Sequence, residues 1–295
     1  MGSEYHQKNT GGKLAVLLYR VAVMMACYNR KEKTKRCLES LKKQIAEYSE
    51  RCIKDKYVFD DHSTDGTYEM LRESFPDLII IRGDGNNYWC KSMFQLMKIT
   101  VQKEYDFYLM LNDDVLFYED AFYTMFHSYN KVKSPCGIVG TTRGKLSQKA
   151  TYGGRNDQKE MVIEPEVQLQ KCQWANWNCF LIDAEVIKKI GIIDGRYKHS
   201  WGDYDYSARM IKNNIPIYIA ESYVGECEEN SSKGSYRDGE LKRWVRVKKL
   251  FSPKGLPLGS YIRFMAKTQG IHGVADAFYG YGSILMYILL GKSIG

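Results

Sequence analysis

Short apolar runs alternate with segments of helical spacing through the first half of this 295-residue chain. Val21 to Ala26, Tyr57 to Asp60, Leu78 to Ile81 and Phe107 to Leu111 read as buried strands. Between them, Lys33 to Tyr48, Thr67 to Ser74 and Ser92 to Val101 place apolar residues at helical intervals, and the turn at Ser63 to Gly66 starts the second helix. Strands alternating with helices predict parallel pairing through right-handed crossovers. In such sheets ligands bind outside the carboxyl ends of the strands. Three polar clusters then share one rim: Tyr28-Asn29-Arg30, Asp60-Asp61-His62-Ser63 and Asn112-Asp113-Asp114.

The second half is less regular. Gly137 to Thr141 reads as a strand, Thr151 to Glu166 as a polar loop, and Phe180 to Asp183 as a strand followed by a short helix through Lys189. Asp203 to Asn213 is a helix and Pro216 to Ala220 a short strand. The expected organisation is an N-terminal extension over 1–19, an α/β domain over 20–225, a Ser-, Gly- and charge-rich linker over 226–239, and a basic helical extension over 240–295.

A hydrophobic share of 44% and a charged share of 26% fit a globular protein. The net charge of +8 matters through its placement, because from Glu240 onward nine Lys/Arg face two Asp/Glu. That asymmetry argues against nucleic acid as partner and for a basic attachment region at one end, with an anionic membrane surface the natural partner. A solvated basic face, packing of the extension on the main domain, or a dimer interface accounts for the same residues. Ile284 to Leu290 is too short to span a bilayer, and Lys13 to Met25 is interrupted by Arg20, so contact without crossing is expected. Eight cysteines without a CxxC spacing, and no recognisable signal peptide, read as reduced thiols of a cytoplasmic protein, peripheral at the inner face of the membrane.

The acidic pair Asp113-Asp114 concentrates negative charge just after a buried strand. Either a divalent cation compensates it or the pair is a solvated turn. Oxygen ligands alone favour Mg²⁺ or Mn²⁺ over zinc. No GxGxxG follows the first strand, so a dinucleotide site is poorly supported while a mononucleotide site stays open.

The segment Val58-Phe-Asp-Asp-His-Ser-Thr-Asp-Gly-Thr67 resembles the VVDDxSxDGT element of family 2 glycosyltransferases, which share the nucleotide-sugar-binding GT-A fold. Further landmarks follow in order: Ala26-Cys27-Tyr28-Asn29-Arg30, Gly83-Asp84-Gly85-Asn86, Leu111-Asn-Asp-Asp114 and Trp201-Gly-Asp-Tyr-Asp205. The resemblance spans roughly residues 20 to 225, and Asn86-Asn-Tyr-Trp-Cys90 is similar to a GNLWW-type stretch of bacterial surface-polysaccharide enzymes such as rhamnosyl- and galactosyltransferases.

The resemblance implies roles residue by residue. Ala26, Tyr28, Arg30, Asp61, Asp84, Asn86, Trp89 and Asp113 fall at nucleotide- or donor-binding positions, with Asp61 placed to accept the N3–H of uracil or thymine and Tyr28 beside the base. Asp114 falls at the metal-ligand position, holding Mg²⁺ or Mn²⁺. Asp203 falls at the catalytic base of an ED-x-D-x-x-x-R element whose first acid is here Gly202, and burial beside Trp201 and Tyr204 would raise its pKa. Asp205 and Arg209 are expected to form an i,i+4 salt bridge. Asn176, Trp177 and Trp201 are assigned to the acceptor or donor-sugar pocket, although a core role accounts equally for Trp89 and nearly so for Trp177. Many relatives carry a His near the diphosphate where this chain has Val224 to Ser232, so Glu226 or Glu228 is a candidate replacement.

The implied activity is inverting transfer from a UDP- or dTDP-sugar to a saccharide or lipid-linked saccharide acceptor. A nucleotidyltransferase would carry a Gly- and basic-rich loop after the first strand, which this chain lacks. A non-catalytic saccharide-binding scaffold would not need Asp61, Asp114 and Asp203 together.

Overall fold

The computed structural model describes residues 19–48, 55–132, 134–156 and 161–292. Cys52 and nearly all of the expected N-terminal extension lie outside the described residues. The first half follows the expected alternation: β1 (Val21–Cys27), α1 (Lys31–Tyr48), β2 (Asp55–Asp60), α2 (Thr67–Ser74), β3 (Leu78–Arg82), α3 (Tyr88–Thr100), β4 (Phe107–Asn112), the short β5 (Leu116–Phe117) and α4 (Ala121–Asn130). Then come β6 (Gly137–Arg143), β7 (Ala150–Tyr152), β8 (Gly154–Arg155), β9 (Lys171–Cys172), β10 (Trp174–Ala175), β11 (Cys179–Asp183), α5 (Ala184–Ile190), α6 (Gly202–Lys212), β12 (Ile217–Glu226), α7 (Arg243–Leu250) and α8 (Leu258–Leu289).

The main sheet runs β3-β2-β1-β4-β11-β6-β12-β5, with β7 on β6 and β9 on β12, while β8 and β10 form a separate pair. β3, β2, β1 and β4 are mutually parallel, whereas β11 enters antiparallel between β4 and β6. The fold is thus the expected α/β architecture with a mixed, mostly parallel sheet. Because β11 runs backwards, its amino end and the residues before it meet the carboxyl ends of β4 and β6. Asn112 N–H donates to Asn178 O at 3.1 Å across that junction.

Both sheet faces are covered, which is why the central strands are near-continuous apolar runs. Along β1, Ala22 and Met24 face a core shared with α3 and α6, and Val21, Val23 and Met25 face one shared with α1, α2 and α4. Two local expectations change, and one further helix appears. The polar stretch from Thr151 contains β7 and β8. Ala121–Asn130, whose aromatics obscure helical spacing, is a helix. β12 continues to Glu226 through irregularities between Ile219 and Gly225, which carries its end to the acidic pair.

The C-terminal extension is not a free appendage. Phe264, Met265 and Ala277 of α8 are buried in the same core as α3 and α6. Arg246 is buried and donates to Tyr236 O at 2.9 Å and Lys292 O at 3.0 Å, so the basic count of the tail is partly spent inside the protein. α8 breaks at Gly270 (φ 65°, ψ −144°). Among the described residues no helix is long and apolar enough to cross a membrane, and the seven cysteines there are free and buried.

Candidate active site

Backbone strain collects on the rim. Asn29 (φ 50°), His62 (φ 62°), Tyr88 (φ 56°) and Trp201 (φ 79°) take left-handed conformations disfavoured by side chains, and each sits where a strand or loop hands over to a helix or turn. Asn29 is pinned by its N–H to Ser63 Oγ at 2.9 Å and by Thr64 N–H to its own Oδ1 at 2.7 Å. That turn aims Arg30 across to the end of β4.

There Arg30 Nη1 lies 2.6 Å from Asp113 Oδ1 and Nη2 lies 2.7 Å from Asp114 Oδ2. One guanidinium therefore grips both acids of the pair. Thr34 Oγ1 donates to the other Asp113 oxygen at 3.0 Å. Burial pushes the Asp113 carboxyl up to about 6, with Arg30 pulling it down and Asp114 pushing it up. Asp114 Oδ1 receives the Cys227 thiol at 3.6 Å. Cys227, just beyond β12, is the side chain from Val224 to Ser232 that reaches the pair; Glu228 instead accepts Lys145 N–H at 2.8 Å. No local sequence signal marks this inward cysteine, because the irregularities of β12 between Ile219 and Gly225 break the period-two alternation that would have placed it.

Among the described residues no group of three or more His, Cys, Asp or Glu is arranged to hold a metal. Two adjacent carboxylates still suit Mg²⁺ or Mn²⁺ held by few protein ligands, once the Arg30 guanidinium that faces them gives way.

Asp61 is 4% exposed and works on the neighbouring loop. Its carboxylate accepts Gly85 N–H and Asn87 Nδ2 on one oxygen, both at 3.0 Å, and Asn87 N–H at 3.0 Å and Tyr88 N–H at 2.9 Å on the other. A carboxylate has about four acceptor sites, so the loop uses them all. In this structure Asp61 therefore organises the Gly83–Tyr88 loop with both of its oxygens. Gly83 is required here, since a Cβ would stand 2.5 Å from Asp61 Oδ1. Asp84 accepts from Asn86 N–H and Asn87 Nδ2, and Asp84 and Asn86 are exposed above this loop. Tyr28 is 43% exposed on the rim, while Ala26 packs into the sheet.

Trp89 links the two regions, its Nε1 donating to Asn112 Oδ1 at 2.8 Å. Trp177 corrects an expectation: at 1% exposure it is core, edge-on to Trp89 and Tyr206, and can only support a pocket from behind. Asn176 remains at the site, with Nδ2 3.4 Å from Tyr204 Oη and its Oδ1 buried without a partner.

Asp203 lies in the first turn of α6. Burial lifts its carboxyl from 3.8 to about 6, against the Tyr204 N–H and Asn176 bonds that favour the charged form. The residue as a whole is of intermediate exposure. Gly202 replaces the first acid of the familiar element because a Cβ there would overlap Cys90 Sγ. Asp205 makes the expected bridge to Arg209 at 3.1 Å, and also accepts Lys267 of α8 at 2.6 Å. Trp201 stacks on Tyr261 at 5.3 Å and Phe264 at 4.7 Å between ring centres, so α8 holds the turn that presents Asp203. His199 is kept neutral by burial and by Lys254 and Arg30, its pKa lowered to about 4.

A sequence profile of the Glycosyl transferase family 2 matches residues 22–191, more than half of the chain. The chain belongs to that family. As a family 2 glycosyltransferase it moves a sugar from a nucleotide-sugar donor. A solved mannosyltransferase, PcManGT from Pyrobaculum calidifontis in complex with GDP-Man and Mn²⁺, is similar in fold, with TM-score 0.57 at 13% identity over 93% of this chain and 74% of that one. S. aureus TarS 1–349 in complex with UDP-GlcNAc gives TM-score 0.56 at 14% identity over 92% of each chain. These identities establish the shared fold of this family 2 protein. No curated protein matches it in sequence.

Proposed function

We propose that this glycosyltransferase transfers a sugar with inversion from a UDP- or dTDP-sugar to a saccharide acceptor, lipid-linked in its natural setting, in the assembly of a bacterial surface polysaccharide. The observation that carries the reading is Asp203: a carboxylate raised to about 6 by burial, on a residue of intermediate exposure in the first turn of α6 beside Asn176 and Trp201. A general base works best with a pKa near the working pH. Asp203 takes the proton of the acceptor hydroxyl as that oxygen attacks the anomeric carbon from the face opposite the nucleotide. Asn176 orients the base through its side-chain amide. Tyr28 and the Asp84-Asn86 loop receive the pyrimidine, Asp61 fixes that loop, and Trp89 ties it to the acidic pair.

Asp114, with Asp113, would hold Mg²⁺ or Mn²⁺, which when bound offsets the charge left on the departing nucleoside diphosphate. Attachment to an anionic lipid surface belongs to the same reading. Lys242 just before α7, and Arg243 and Lys248 on it, are exposed beside Trp244, and the distal part of α8 exposes Phe278, Tyr279 and Met286 along an open groove of ≈ 630 Å³. Incubation with a panel of UDP- and dTDP-sugars, Mn²⁺ and saccharide acceptors, reading nucleoside diphosphate release, tests the assignment. No release from any pyrimidine donor, with no thermal stabilisation by UDP or dTDP, would sink it. Sedimentation with phosphatidylglycerol-rich against phosphatidylcholine vesicles tests attachment, equal recovery with both counting against it.

A further inference from the structure

The acidic pair is held by the protein's own cation. Arg30 engages both carboxylates through separate nitrogens at 2.6 and 2.7 Å, a two-pronged geometry that fits paired oxygens better than a point charge would. Thr34 and the Cys227 thiol complete the shell around these oxygens. Asp113 is 3% exposed, so the pair would be unfavourable without that counter-charge. A divalent cation binding the same oxygens has to displace the guanidinium. Arg30, whose side chain is one-third exposed on the rim, would then need another anion, and a diphosphate supplies one of matching geometry.

Building on the donor site proposed above, we propose that Arg30 is an exchangeable counter-ion of Asp113-Asp114: it excludes the divalent cation from the nucleotide-free protein and moves to the donor's diphosphate on loading. Arg30 is thus a positioning residue. Cation and donor load together, because each relieves the other's competition for the same charges.

The experiment measures Mn²⁺ binding to the full chain by electron paramagnetic resonance, with and without UDP, in the wild type, Arg30→Gln and Arg30→Lys. Direct Mn²⁺–phosphate contact predicts tighter binding with UDP in any case, so the deciding quantity is affinity without nucleotide. Arg30→Gln is expected to tighten nucleotide-free Mn²⁺ binding about tenfold, within the usual range for coupled sites, and to shrink the gain from UDP. Arg30→Lys, which keeps the charge but loses the fork, should fall between. Adding Asp114→Asn to Arg30→Gln should abolish the new binding, placing it at the pair. Unchanged or weaker Mn²⁺ binding in folded Arg30→Gln overturns the proposal, and so does a wild type that binds UDP but takes up no Mn²⁺ with it. Should Arg30→Gln not fold, Arg30→Lys decides on the same criterion. Failure of UDP to bind the wild type would instead refute the donor assignment.

Discussion

Asp203→Asn should inactivate the enzyme and make it more stable. The carboxyl rises from 3.8 to about 6 on folding, first because burial penalises the charged form. The folded protein therefore binds this proton more tightly than the unfolded chain. Its contribution to stability is full below pH 4 and is lost as pH rises through 6. Two pH units correspond to about 3 kcal/mol. Because the residue is not wholly enclosed, screening brings the expected penalty at neutral pH to about 2 kcal/mol.

Asparagine has nearly the same shape and no charge, so the variant escapes that penalty. Urea unfolding at pH 7.5 should show Asp203→Asn about 2 kcal/mol more stable than the wild type, with the difference closing towards pH 4. Turnover should be lost while UDP binding is kept. In the wild type, kcat/KM should fall below pH 6 by about tenfold per pH unit for each carboxylate that must be ionised. Asp113, also raised to about 6, titrates in the same window, so the activity profile alone reports the two together; the stability of Asp203→Asn isolates one. A variant no more stable than wild type at pH 7.5, or a gap that persists to pH 4, would refute the argument.

Lys267→Met leaves buried Asp205 with Arg209 but without its 2.6 Å partner from α8, and should cost about 1–2 kcal/mol in urea unfolding and lower kcat more than UDP affinity. Phe264→Ala removes a fully buried ring against Trp201; a loss of about 3–5 kcal/mol is expected, whereas a change under about 0.5 kcal/mol would show that the extension is not part of the core. Gly83→Ala puts a Cβ against Asp61 and Phe59, so UDP affinity by titration calorimetry should drop about tenfold or more, while Mn²⁺ binding without nucleotide is unchanged.

The rim was legible because strand ends and polar clusters are local signals. β1 to β4 and their helices follow from spacing, and the three clusters meet where parallel order predicts. What escaped were contacts between distant segments. Nothing local in Arg30 says that its guanidinium spans the 2.6 and 2.7 Å gaps to two acids more than eighty positions away. Trp177 carries the composition of a sugar platform, and only the packing of Trp89 and Tyr206 around it makes it core. Asp61 shows the same limit: the sequence places the carboxylate, but not the loop that folds over it and takes its oxygens.

The C-terminal extension is where charge pattern misled most. Its basic and aromatic residues suggested one attachment surface, yet they divide at Gly270. Before that break, Tyr261 and Phe264 clamp Trp201, and Lys267 joins Asp205 and Asp194. Beyond it, Ile271, Phe278, Tyr279 and Met286 face outward. A residue at φ 79° such as Trp201 persists only while its surroundings over-determine it, and here those surroundings include Tyr261 and Phe264 of α8. The turn that presents Asp203 therefore depends on the extension for its orientation. Under the proposed attachment, the helix that meets lipid beyond Gly270 is the one that sets Asp203 before it, so a lipid-linked acceptor would arrive on the side from which the base is held.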